Sequence, residues 1–146
     1  MIAATALAVP SAAVWAREPL PMISVWKDPA CGCCIHWIAY MQAKGYAVDV
    51  FDVPNLAEPR RRVGMPSRYR SCLVARIGTY AIEGTCRCKT SSGSWQSVRR
   101  RSDWRCLACP YGAPGIGTGT RRVDFEVLLI QRNGRARTYT RYAARA

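Results

Sequence analysis

The sequence predicts an α/β domain in which a strand–helix–strand unit leads into two further strands, with an added C-terminal β-hairpin. Three observations carry this. Two runs of β-forming residues, 22–27 and 46–53, flank a single segment of helical period. The stretch "SCLVARIGTYAIEG" (71–84) breaks at Gly78 into two strand-like halves. Asn133 and Gly134 stand between "FEVLLIQ" and "ARTYTRY", and Asn-Gly between such runs is a strong short hairpin signal.

Taken in order, "MISVWK" alternates and is rich in β-formers, so it is a strand. A cysteine cluster follows, and beyond it Cys34, Trp37, Ile38 and Met41 recur at i, i+3, i+4 and i+7. That is the apolar stripe of a helix, and Gly45 is placed to end it. "YAVDVFDV" is the second strand. A connection one helix long makes the pair a right-handed unit with parallel strands. "AEPRRRVGMPS" (57–67) reads as a polar, partly helical link. "YGAPGIGTGT" (111–120) is a Gly-rich loop without the Lys and the strand–helix setting of a phosphate loop, which argues against nucleotide binding.

With 146 residues the chain has room for one domain, placed at 20–143, and not for two ordinary ones. The first sixteen residues, "MIAATALAVPSAAVWA", are apolar and small, with Val14 and Ala16 at the small-residue positions of a signal-peptidase site. Residues 1–16 are therefore expected to be a signal peptide with a truncated basic n-region. They are short for a membrane span, so the expectation is an exported, periplasmic protein with no membrane attachment after cleavage.

The stretch "DPACGCCIHW" (28–37) puts Cys31, Cys33 and Cys34 at the start of the helix. Unpaired N–H groups and the positive end of the helix dipole there favour thiolates, the form that attacks disulfides and binds metals. Cys31 and Cys34 have the C-x-x-C spacing of a redox dithiol, which beside a βαβ pattern points to a thioredoxin-like site. A disulfide exchanger needs two thiols, however, whereas several converging thiolates suit a soft metal such as Cu(I). Cys72 begins the third strand. In a thioredoxin-like sheet that strand runs beside the first, so a fourth sulfur is expected at the same place. His36, the one histidine, lies two positions past Cys34 and is expected to face solvent.

These residues carry a resemblance. The succession of strand, "P-x-C-G-C-C-x-x-W", helix, "V-x-V-x-D", "S-C", "Y-x-I-E-G", "D-F-E-V-L-L" and "Y-x-R-Y" resembles the domain-of-unknown-function family numbered 411, which includes periplasmic copper-resistance proteins of the CopG type. The match covers 22–84 and 111–142. It implies a thioredoxin-like domain that binds copper through Cys31, Cys33, Cys34 and Cys72, in a cluster able to change oxidation state. The implied metal is Cu(I), with Cu(II) as its oxidised form and zinc as a less favoured occupant. The implied partners are copper ions and other periplasmic copper-handling proteins, and the implied role is metal binding rather than substrate turnover. The chain departs from the family pattern at three places. Leu73 stands where a histidine usually follows the "S-C" cysteine, Ile116 stands for a loop methionine, and "EGTCRCK" lacks the histidine of "E-G-H-V-P".

The net charge of +13 would ordinarily point to nucleic acid or an anionic surface. Residues 85–110 supply +5 of it, together with Cys86, Cys88, Cys106 and Cys109. Read literally, "CRC…CLAC" resembles zinc-ribbon knuckles with arginines between them, a nucleic-acid binder that export argues against. A second reading is a frameshifted segment. Back-translated with free choice of degenerate bases, Gly84 to Trp95 read in a shifted frame gives H-V-P-V-Q-D-I-K-R-L-L. Arg101 to Tyr111 in the same offset gives I-G-L-A-L-P-G-M-P-I. Both fit the family pattern at conserved length, so this block is expected to pack weakly and its cysteines to have no evolved role. Resequencing the locus tests it. The remaining alternative for the whole chain is a thiol–disulfide oxidoreductase using Cys31 and Cys34. Pro66, five residues before Ser71, is out of place for the proline that usually faces such a motif.

Overall fold

The computed structural model describes residues 20–85, 105–108 and 123–144. The expected signal peptide, the Gly-rich loop and most of 85–110, Cys86, Cys88 and Cys109 included, lie outside the described residues. No helix among those described is long and apolar enough to cross a membrane.

Strand β1 (Ile23–Lys27) leads into helix α1 (Gly32–Ala43) and returns as β2 (Val48–Asp52), parallel to β1 with Val25 opposite Val50. Helix α2 (Ala57–Arg62) and a 3₁₀ turn (Ser67–Tyr69) lead to β3 (Leu73–Ile77) and β4 (Tyr80–Gly84). Strand β3 pairs antiparallel with β1 on one side and with β4 on the other. This four-strand sheet, β2-β1-β3-β4, with its two helices has the connectivity that the hydrophobic periods predict. The C-terminal hairpin, β6 (Phe125–Ile130) and β7 (Ala136–Tyr142), also forms as expected.

One feature differs from the expectation. A strand not read from the sequence, β5 (Arg105–Ala108), runs parallel to β4 and antiparallel to β6. It joins hairpin and sheet into one order, β2-β1-β3-β4-β5-β6-β7. The period-2 reading missed it because four residues are too few to show alternation.

The stripe on α1 does what its spacing requires. Cys34, Trp37, Ile38 and Met41 are buried, in one cluster with Ile23 and Val25 of β1, Ala75 and Ile77 of β3 and Ile82 of β4. Burying each large side chain contributes roughly 1.5–3 kcal/mol. Ala81, next to Ile82 and so on the opposite face, packs with Met65 and Ile130 in a second cluster. Gly45 ends α1 at φ +88°, its N–H donating to the Gln42 carbonyl at 2.8 Å.

Both hairpins turn on glycine. Gly78 (φ +59°) and Thr79 connect Ile77 to its partner Tyr80. In the C-terminal hairpin Gly134 has φ +80°, while Asn133 keeps a negative φ, so the loop is the three residues Arg132, Asn133 and Gly134, the glycine last and left-handed. The Gly134 N–H donates to the Gln131 carbonyl (2.8 Å) and the Gln131 N–H to the Arg135 carbonyl (2.9 Å). The Gly134 carbonyl in turn accepts from the Arg68 guanidinium and the Tyr69 hydroxyl. A Cβ at Gly134 would stand 2.9 Å from an Arg68 nitrogen. Gly134→Ala is therefore expected to cost about 1–2 kcal/mol for left-handed backbone alone, read as a lower urea midpoint at unchanged slope.

Candidate metal centre

The site is built where β1 ends. The Asp28 N–H donates to the Cys72 carbonyl (3.1 Å), so the β1–α1 turn is hydrogen-bonded directly to the residue that precedes β3. The turn is tight: the Cys31 N–H donates to the Asp28 carbonyl (3.0 Å) and the Ala30 N–H to the Asp28 carboxylate (2.8 Å). Lys27, buried despite its charge, holds the same turn. Its ammonium donates to the Asp28 carbonyl (3.2 Å) and pairs with Asp52 at the end of β2 (2.6 Å).

This turn sets Cys31 as the N-cap of α1, with its sulfur accepting from the Cys34 N–H at 3.3 Å. The first turn has no acidic residue, and the Cys31 sulfur takes the capping position that an anionic side chain often holds. The Cys72 sulfur lies 3.1 Å from Cys31, 3.5 Å from Cys34 and 3.9 Å from Cys33, and Cys31 and Cys33 are 3.4 Å apart. All four sulfurs fall within 4.8 Å of one another. Cys31 and Cys34 are buried and joined as a disulfide; Cys33 and Cys72 are half-buried and stand outside it. A cleft of about 390 Å³, lined among others by Asp28, Arg60, Arg70 and Ser71, reaches Cys72 from solvent. His36 is exposed, as its place on the helix predicts.

Sequence reasoning missed the support behind Cys72. Arg60 on α2 and Glu83 on β4 form a buried two-pronged pair, with nitrogen–oxygen distances of 3.1 and 2.8 Å. The Glu83 carboxylate also accepts from the Ser71 N–H (2.6 Å) and hydroxyl (3.0 Å), and Arg60 donates to the Ser71 carbonyl (3.0 Å). Ser71 is thus held on both sides one residue before Cys72. Burial pushes the Glu83 carboxyl above the ordinary carboxylate value, while Arg60 and Ser71 pull it back. The one available signal was Glu83 itself, an acidic residue in an otherwise apolar strand.

The donor chemistry fits a soft metal. With the Cys31–Cys34 disulfide reduced, the four sulfurs are donors of the kind a soft metal takes, and among the described residues no carboxylate or imidazole joins them. Leu73, at the position where the sequence resemblance implies a histidine, is wholly buried in the main cluster.

No family model matches the chain, and no curated protein is similar to it. Two solved structures are similar. "Copper resistance protein copG- Form 1" has a TM-score of 0.73 and 28% identity, over 84% of this chain and 98% of that one. "Copper resistance protein copG- Form 2" has a TM-score of 0.73 and 29% identity, over 86% and 99%. These neighbours, together with a cysteine cluster able to hold a metal, support a copper-related role.

Proposed function

We propose that this chain is an exported, periplasmic copper-binding protein of the CopG type, on a thioredoxin-like domain, acting in copper resistance or homeostasis. Convergence of four sulfurs from two separate elements carries the reading. Cys31, Cys33 and Cys34 come from the start of α1, and Cys72 comes from the entry to β3. In this reading, Cys31 and Cys34 join the donor set once their disulfide is reduced. Thiolate-bound copper would supply one-electron chemistry between Cu(I) and Cu(II); the protein's part is to hold the sulfurs in place and to bury Cys31 and Cys34 away from water.

Competition against a Cu(I) chelator tests this, using reduced wild type and Cys33→Ala. The variant is expected to bind at least about tenfold more weakly, since even partners one step removed from a metal cost that much. Elemental analysis of protein recovered from a periplasm under copper and under zinc gives the preference between the metals.

A second reading rests on the Cys31–Cys34 disulfide itself, which is what a thiol–disulfide oxidoreductase would contain. Unchanged Cu(I) affinity in Cys33→Ala would leave that reading standing in place of the metal site.

Restoring the family histidine is a further check. Leu73→His is expected to lower the stability of the metal-free protein by about 2 kcal/mol or more, because it buries an imidazole in an apolar cluster. It is also expected to tighten copper binding, read as a larger copper-induced rise in Tm than in wild type.

A further inference from the structure

We propose that Cys33 and Cys72 form a two-coordinate site for one soft monovalent cation that persists while Cys31 and Cys34 are disulfide-bonded. The inference rests on the metal-binding reading above and deepens it: one cluster has two metal capacities, set by the oxidation state of one cysteine pair.

The disulfide removes two of the four sulfurs from coordination, and the two outside it are neighbours. Cys33 and Cys72 have sulfurs 3.9 Å apart. Metal–thiolate bonds of about 2.3 Å reach across that gap, since two of them span up to roughly 4.6 Å. Both residues are half-buried and Cys72 lines the cleft, so an ion can enter without unfolding. Two thiolates satisfy a d¹⁰ monovalent ion, whereas zinc sites require four protein donors, or three with an open position. The disulfide state therefore selects Cu(I) or Ag(I) against Zn(II).

The arrangement also preserves the disulfide against its own neighbour. Exchange needs the attacking sulfur in line with the S–S bond, which would put it about 2 Å farther from the leaving sulfur than from the attacked one. Cys72 lies nearly side-on instead, at 3.1 Å from Cys31 and 3.5 Å from Cys34. Cys33, 3.4 Å from Cys31 and within 4.8 Å of Cys34, also falls short of the in-line position, so opening the pair falls to an external dithiol. Its two thiols are oxidised to a disulfide, the Cys31–Cys34 bond breaks, and Cys31 and Cys34 each gain an electron and a proton. The four-sulfur set is then complete.

The test uses Ag(I), which binds thiolates without redox chemistry of its own. Full-length protein whose Cys31–Cys34 disulfide is verified by peptide mapping is alkylated with iodoacetamide, with and without one equivalent of Ag(I). Ag(I) is expected to slow alkylation of both Cys33 and Cys72 by about tenfold or more, because the thiolate is at once nucleophile and ligand. Zn(II) is expected to leave both rates unchanged. Native mass spectrometry of oxidised Cys33→Ser should show one Ag(I) fewer than oxidised wild type. Equal alkylation rates with and without Ag(I), or a Cys33–Cys72 disulfide in the mapped protein, overturns the proposal. Loss of Cu(I) binding by the fully reduced chain is a separate result, which would overturn the metal reading itself.

Discussion

Arg60→Ala is expected to destabilise the protein by about 3–5 kcal/mol, a large fraction of a typical 5–15 kcal/mol total. The substitution leaves Glu83, wholly buried, without the guanidinium that now pairs with both its oxygens. It also removes the donor to the Ser71 carbonyl, so the approach to Cys72 loses one of its two restraints. The pH dependence identifies the cause. Without Arg60, burial raises the folded-state pKa of Glu83 further above its unfolded value. The folded variant then holds the proton more tightly than the unfolded chain does. Its stability is fully present below the ordinary carboxylate range and is lost as pH rises through the raised folded value. Urea midpoints measured between about pH 4 and pH 8 should fall with pH in Arg60→Ala more steeply than in wild type. Replacing both partners by apolar residues of similar volume should recover most of the loss, because no charge is then left stranded. Equal midpoints for Arg60→Ala and wild type at neutral pH would show that the pair carries no weight.

Cys72→Ala is expected to weaken Cu(I) binding by more than about 100-fold, beyond the 10–100-fold typical of residues that only orient a ligand. Its sulfur is within 3.9 Å of each of the other three, and it alone comes from outside the "CGCC" turn. The readout is stability with and without metal. At a hundredfold excess over its Kd, a ligand adds about 2.7 kcal/mol to the folded state. Copper should raise the Tm of reduced wild type and leave that of reduced Cys72→Ala almost unmoved. A variant that kept the full shift would remove Cys72 from the ligand set.

Much of the fold and most of the candidate site are legible in the amino-acid sequence. The period of Cys34, Trp37, Ile38 and Met41 marks a buried helix face, and all four residues are buried. A one-helix connection makes β1 and β2 parallel, and a third strand beside β1 brings Cys72 to the "CGCC" turn. The first two are local periods and topological rules, which sequence carries directly; the third is an expectation from a fold pattern rather than from any period. The Arg60–Glu83 pair is not legible. Arg60 lies in "PRRR", which reads as a solvated run, and Glu83 follows Ile82 in a period that sends it to the opposite face. That face is exposed in a half-buried sheet, but here α2 and the 3₁₀ turn cover it. The partners are 23 residues apart, and nothing in either stretch names the other. Lys27 is hidden likewise, its charge satisfied by carbonyls of its own turn and by Asp52. Sequence can place two cysteines at bonding distance but cannot choose between dithiol and disulfide.

Strand β2 ends the sheet order among the described residues, and apart from half-buried Val48 its side chains are exposed. Among the described residues this edge of β2 pairs with no further strand, and with Val50 and Phe51 in the open it is a template on which another chain could add itself. Asp49 and Asp52 interrupt the apolar residues at this edge. Two copies approaching edge to edge through β2 would bring these acids together, and like charges facing each other across a strand pair destabilise it. The carboxylate of Asp52 thus stands at two junctions at once: it pairs with the buried Lys27 behind the cysteine cluster, and it sets a like charge against any second copy of the outermost strand.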